Sequence, residues 1–134
     1  MATATKTSIL LVDDDDHFRE TLADAMALKE VRVDVATSCS EALRKLETHL
    51  PSLILLDVQL PDMHGFQFCR ALKRAARTRN VPVVFLSARY TEPADRAEGL
   101  LTGADAYLSK PINLEALWDE VSYLLDKGDS HLIS

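Results

Sequence analysis

Short apolar runs alternate with longer stretches of helical periodicity along nearly the whole chain, and this rhythm constrains the fold more than any other feature. The runs are Ser8–Asp13, Val31–Ala36, Ser52–Asp57, Val81–Ser87 and Ala106–Lys110. They lack strict apolar–polar alternation, which is the pattern of strands covered on both faces. The stretches between them carry helix punctuation. His17–Lys29 puts Leu22, Ala25 and Met26 on one stripe, with Asp15 or Asp16 placed to cap it. Ser38 with Glu41 spells a capping box ahead of Ala42, Leu43 and Leu46, and Pro51 closes that segment. Gly65 precedes Phe66–Arg77, where Phe66, Cys69, Leu72 and Lys73 recur at helical spacing. Pro93 suits the first turn of Ala94–Thr102, and Gly103 its left-handed cap. Asn113 is placed to cap Leu114–Asp126, with Leu114, Leu117, Trp118, Val121 and Leu125 as the buried stripe.

Five strands and five helices in strict alternation predict one doubly wound α/β domain: a five-stranded parallel sheet with helices on both faces. Parallel neighbours require crossovers, and these run right-handed. At 134 residues the chain is long enough to bury a self-sufficient core. Fifteen basic against twenty-one acidic residues give a formal charge of −6, which argues against direct nucleic-acid binding. The basic residues thicken at Arg70, Lys73, Arg74, Arg77 and Arg79, at the spacing of a solvated helix face. Cys39 and Cys69 lie in helical patterns with no zinc-ligand spacing, so both read as buried free thiols. Neither a signal peptide nor a membrane span is legible, and a cytoplasmic protein is expected.

In open parallel sheets the active crevice lies beyond the carboxyl ends of the strands. Those ends carry Asp13 and Asp14, then Asp57, Ser87 and Lys110. Taken singly, each has a bland reading as a cap, a turn residue or a solvated lysine. Together they converge on one rim. Two bare carboxylates at ~4 Å repel by about 4 kcal/mol at an effective dielectric near 20. A divalent cation removes that cost, and oxygen-only ligands favour Mg2+, with Mn2+ as a substitute. The set also suits one reaction. A carboxylate attacks phosphorus only where the phosphoryl oxygens are neutralised, here by metal and Lys110, with the Ser87 hydroxyl on a third oxygen.

Four blocks in order resemble the receiver domains of two-component response regulators. They are Ile9–Asp14, Leu55–Phe66, Leu86–Ala88 and Gly103–Pro111. The resemblance covers the chain from Ile9 to about Leu125, and places a receiver domain at 8–127 between short flexible tails at 1–7 and 128–134. It implies the flavodoxin-like strand order 2-1-3-4-5 and phosphorylation of Asp57. The metal ligands would be Asp13, Asp14, Asp57 and the Gln59 backbone carbonyl. Ser87 and Tyr107 would form the switch, Lys110 would hold the phosphoryl group, and Gln59 and Arg89 would set its lifetime. A cis peptide at Lys110–Pro111 is implied as well. The phosphoryl donor would be a histidine kinase or histidine phosphotransfer protein, and a downstream protein or output domain would read the surface of the Ala94–Thr102 helix, the last strand and the Leu114–Asp126 helix. Ser87 stands where Thr is commoner, and Ala106 where a second acid often follows Asp105. His64 reads as a solvent-facing loop residue.

Three other functions compete. An Mg2+-dependent phosphohydrolase would use the Asp-x-Asp within Asp13–Asp15. It needs an acid two residues beyond its nucleophile, and beside Asp57 that position is Gln59. A flavin module needs a neutral phosphate loop after the first strand, where this chain has four aspartates. A degenerate receiver would have lost site residues that are all present here. The expectation is thus a switch that catalyses only its own phosphorylation and dephosphorylation.

Overall fold

The computed structural model describes residues 7–133. Its elements are β1 (Ser8–Val12), α1 (Asp16–Ala27), β2 (Arg32–Ala36), α2 (Cys39–Thr48), β3 (Leu53–Asp57), α3 (Gly65–Arg74), β4 (Val83–Ser87), α4 (Pro93–Leu101), β5 (Ala106–Ser109) and α5 (Leu114–Ile133). Every strand pair is parallel, in the order β2-β1-β3-β4-β5. The chain adds strands outward in one direction from β1 and then in the other from β3, which opens a crevice at their carboxyl ends. β1, β3 and β4 are buried at every position, which is why their runs are unbroken and apolar. The edge strands β2 and β5 are only partly covered.

Successive strand residues point to opposite faces, so each strand feeds two cores. Leu10, Val12, Ile54, Leu56, Val83 and Phe85 pack with Leu46, Phe68 and Leu72 from α2 and α3. Ile9, Leu11, Leu53, Leu55, Val84 and Leu86 pack with Leu22 and Met26 of α1 and Leu117, Val121 and Leu124 of α5. Burying each such side chain contributes about 1.5–3 kcal/mol.

The helix signals mostly act as read. Asp15 Oδ1 accepts the Phe18 N–H at 3.1 Å, Asn113 Oδ1 accepts the Ala116 N–H at 3.0 Å, and Gly103 has φ 107°. Ser38 Oγ accepts the Glu41 N–H at 3.1 Å, but Glu41 does not close a box onto Ser38. Its carboxylate takes the N–H and hydroxyl of Thr37, two donors in place of one. Helix α3 stops at Arg74, and the Thr78 hydroxyl caps the freed Leu72 carbonyl at 2.7 Å. Two stripe members are misplaced: Leu43 and Leu114 are 47% and 39% exposed, while Leu124 joins the core. Lys73 leaves the basic face, its Nζ donating to the Val81 carbonyl at 2.7 Å.

The last helix also runs past its expected end at Asp126. The backbone stays helical to Ile133, because Gly128 alone costs about 1 kcal/mol in a helix and no proline follows it. Residues 1–6 and 134, which complete the expected tails, lie outside the described residues. Among the described residues, no helix is long and apolar enough to cross a membrane.

Candidate phosphoacceptor site

Asp13 directly follows strand β1 and Asp57 ends strand β3, so two carboxylates emerge side by side from the buried centre of the sheet. Asp13 is fully buried, Asp57 is 8% exposed, and Asp14 faces solvent. One carboxylate oxygen from each of the three lies within 4.8 Å of the other two. Lys110 reaches in from the end of β5. Its Nζ is 2.7 Å from Asp13 Oδ2 and 3.8 Å from Asp57 Oδ2. The remaining oxygens are held by the chain: the Asp15 N–H donates to Asp13 Oδ1 at 2.9 Å, and the Gln59 N–H to Asp57 Oδ1 at 3.2 Å. Arg19 donates to the Asp13 carbonyl at 2.9 Å and pairs with Asp16. Burial, and then the charge of Asp13, push the Asp57 carboxyl up to about 6 against the pull of Lys110 and the Gln59 N–H. Asp15 serves the helix start, and the Phe18 N–H holds its carboxyl below the usual range.

The backbone that carries Asp57 is held in place by a glycine. A Cβ on Gly65 would lie 2.6 Å from the Asp57 carbonyl oxygen and 2.8 Å from Val58 Cα, so only glycine lets α3 start against this strand end. His64 caps that helix, its Nδ1 accepting the Phe66 N–H at 3.1 Å. It is solvent-exposed as expected, but the cap was not foreseen. Above the acids lies a crevice of about 430 Å³, lined by Asp14, Asp57, Gln59, Ser87, Arg89 and Lys110 among others. Arg89 and Gln59 are exposed on its rim.

The switch pair occupies the far side. Ser87 is 1% exposed, and its Oγ accepts the Tyr90 N–H at 2.8 Å. Tyr107 is also 1% exposed and donates its hydroxyl to the Tyr90 carbonyl at 2.5 Å. Its ring packs against Phe85 and Phe66, with centroids 5.7 and 6.3 Å away. A Cβ on Gly99 of α4 would lie 2.7 Å from that ring. Tyr107, the expected switch aromatic, thus lies inside, bonded to the loop that Ser87 also holds. Sequence reasoning missed Tyr90, Gly99, Gly65, Phe18 and Arg19 as parts of the site. An unforced glycine inside α4 was the one available signal for Gly99.

The Lys110–Pro111 peptide is cis, as the resemblance implies. Of the candidate residues, Asp14, Asp57, Gln59, Ser87, Arg89 and Lys110 line the crevice, while Asp13 and Tyr107 are buried beside it. The donors fit Mg2+: three carboxylates, hard oxygen ligands only, with one lysine to offset their charge.

The response regulator receiver domain, as a family, matches residues 9–122. The chain belongs to the response regulator receiver family. Phosphorylation on an aspartate is general to these two-component receivers, and they use Mg2+ at an acidic pocket. The chain is 40% identical over 119 residues to response regulator Rre1 of Synechocystis, covering 88% of this chain and 51% of that protein. It is 40% identical over 109 residues to the phosphate regulon transcriptional regulatory protein PhoB of Escherichia coli, covering 81% and 47%. This receiver thus spans about half the length of the curated relatives it matches. A crystal structure of a putative response regulator from Chloroflexus aurantiacus superposes with a TM-score of 0.86 at 30% identity, covering 91% of this chain and 99% of that one. A CheY-like receiver domain protein from Methanospirillum hungatei gives 0.86 at 26%, covering 95% and 99%.

Proposed function

We propose that Asp57 is the phosphoryl acceptor of this receiver, and that a histidine kinase or histidine phosphotransfer protein supplies the group. One observation carries this reading. Asp57 is a carboxylate at once desolvated, open to the crevice, within 3.8 Å of an ammonium and grouped with two further acids. An Asp57 oxygen attacks phosphorus, the P–N bond of the phosphohistidine breaks, and the imidazole leaves with its electron pair and takes up a proton. Lys110 offsets negative charge on the phosphoryl oxygens, and Ser87 offers its hydroxyl to one of them. Asp13, Asp14, Asp57 and the Gln59 backbone carbonyl would hold Mg2+ (or Mn2+), which when bound supplies positive charge beside the phosphoryl group. Gln59 and Arg89 border the path of attacking water and set the lifetime of the product. With an amide at Gln59 where a phosphohydrolase needs an acid, the chemistry is confined to self-phosphorylation and self-dephosphorylation. The signal passes through Ser87 and Tyr107 to the α4–β5–α5 surface, read by a downstream protein or output domain in the cytoplasm.

Incubation with acetyl phosphate and Mg2+ tests the acceptor. One phosphoryl group should be added per chain, labile to hydroxylamine. Full labelling of Asp57→Asn would overturn the assignment.

A further inference from the structure

Lys110 has a third neighbour that the phosphoryl chemistry leaves unexplained. Its Nζ stands 4.4 Å from the centroid of the Phe18 ring, on the ring face. Phe18 sits in the first turn of α1, half-buried, and packs against the core shared by α1 and α5. The lysine is itself only 14% exposed, so little water competes for its ammonium. An aromatic face attracts a cation most strongly when it is desolvated. We propose that Phe18 is a positioning residue for Lys110: its ring keeps the ammonium within reach of both Asp13 and the phosphoryl acceptor. A carboxylate in its place would hold the lysine more tightly but would compete with phosphoryl oxygens for its N–H donors. An aliphatic residue would fill the volume and let the ammonium swing toward Asp13 alone, to which it is already bonded at 2.7 Å. The ring restrains position without using up a donor. That leaves the ammonium free to shift from Asp13 toward Asp57, now 3.8 Å away, when negative charge arrives there.

The role rests on Asp57 as acceptor, and two measurements keep the two readings apart. The first needs no phosphorylation. In the proton NMR spectrum of the whole chain, the Lys110 ε-methylene resonances should lie upfield through the ring current, and should return to ordinary values in Phe18→Leu. Ordinary values in the wild type would overturn the contact. The second is a ring series at position 18, with Phe, Tyr and progressively fluorinated phenylalanines, which keeps shape while weakening the π face. The rate of phosphorylation by acetyl phosphate should fall in step with fluorination, and by about three- to tenfold for Phe18→Leu, while Tyr preserves it. Mg2+ affinity, read by calorimetry, should stay within about twofold, since the ring faces the Lys110 ammonium and offers no ligand to a metal. A rate that is flat across the series, or an Mg2+ affinity that falls with it, would overturn the positioning role. A wild type that takes no phosphoryl group at all would instead overturn the acceptor assignment.

Discussion

The two walls of the crevice are built by different forces. On the β1–β3 side, charge decides: Asp13, Asp14 and Asp57 crowd within 4.8 Å, and one lysine bridges two of them. On the β4–β5 side, packing decides: Tyr107 is wedged between Phe66, Phe85 and the bare helix backbone at Gly99, with Tyr90 linking it to Ser87. The first wall is strained without an added cation, since like charges share a desolvated site. The second is satisfied as it stands, with no unpartnered buried side-chain polar atom among the described residues. An arriving ligand thus gains most at the charged wall, while the packed wall must be displaced from a good arrangement. That asymmetry suits a switch, in which chemistry at one wall must outweigh good packing at the other.

The largest expected effect tests the charged wall alone. If Asp14 is the direct ligand proposed, Asp14→Ala should weaken Mg2+ binding by more than about 100-fold, beyond the 10–100-fold that losing an outer partner costs. In EDTA the same variant should be more stable than wild type by about 1 kcal/mol, through relief of repulsion. Calorimetry and urea unfolding would check both. Near-ultraviolet circular dichroism of the tyrosines should not change. If Asp15→Ala proves more damaging, the assignment of roles within the aspartate run is wrong.

A second expectation concerns pH in the absence of metal. The Asp57 carboxyl is pushed up to about 6 in the folded chain, against roughly 3.9 when unfolded. The folded state therefore binds this proton more tightly, and ionised Asp57 costs stability at neutral pH. As pH falls from 7 through 6 toward 4, about 1–2 kcal/mol should return, after allowance for solvent screening at the rim. Asp57→Asn should flatten that slope. With saturating Mg2+ the sign should reverse, since protons then compete with the cation for the carboxylate. Urea midpoints across that range, with and without Mg2+, would measure both slopes; a wild-type slope unchanged in Asp57→Asn would contradict the assignment.

The packed wall has its own probe in Gly99→Ala. Overpacking costs about 1–3 kcal/mol, while alanine in a helix returns up to about 1 kcal/mol relative to glycine. A net loss of about 0–3 kcal/mol is expected, with Tyr107 displaced toward solvent and Mg2+ affinity within about twofold of wild type. Tyrosine side-chain NMR and calorimetry would show whether the walls separate in this way. A large change in Mg2+ affinity would mean that they do not.

The same division explains what could be read in advance. Charge-bearing chemistry demands particular residue types at particular strand ends, so Asp13, Asp14, Asp57, Ser87 and Lys110 were visible in the sequence, as was the βα alternation. Packing makes no such demand. That Tyr107 faces inward follows from the space left at Gly99, 8 residues away in the chain, and from a backbone carbonyl of Tyr90. A backbone acceptor leaves no pattern of residue types, and a glycine inside a helix signals a close approach without naming its partner. Phe18 carried no signal in the sequence for a related reason, because its partner lies 92 residues downstream.

The smallest expected effect falls where the walls meet, at Ser87. Its hydroxyl oxygen now accepts the Tyr90 N–H, and the Tyr90 carbonyl accepts the Tyr107 hydroxyl. Ser87 is therefore the group through which a phosphoryl oxygen on Asp57 would be felt at Tyr107. When such an acceptor arrives, the hydroxyl turns toward it, and the grip on the Tyr90 loop changes with it. Replacing Ser87 by Ala removes one neutral hydrogen bond, so stability should fall by only about 0.5–1.5 kcal/mol. Asp57 should still accept phosphate, since the acids and Lys110 are untouched. What should disappear is communication. A hydrogen bond to a charged group contributes about 1.5–3 kcal/mol, enough to shift a balanced pair of states by roughly one to two orders of magnitude. Beryllofluoride should therefore alter amide exchange in α4, β5 and α5 of the wild type and leave it nearly unaltered in Ser87→Ala. Equal responses in the two proteins would mean that the charged wall reaches the packed wall by another route, with Lys110 at the end of β5 the next residue to test.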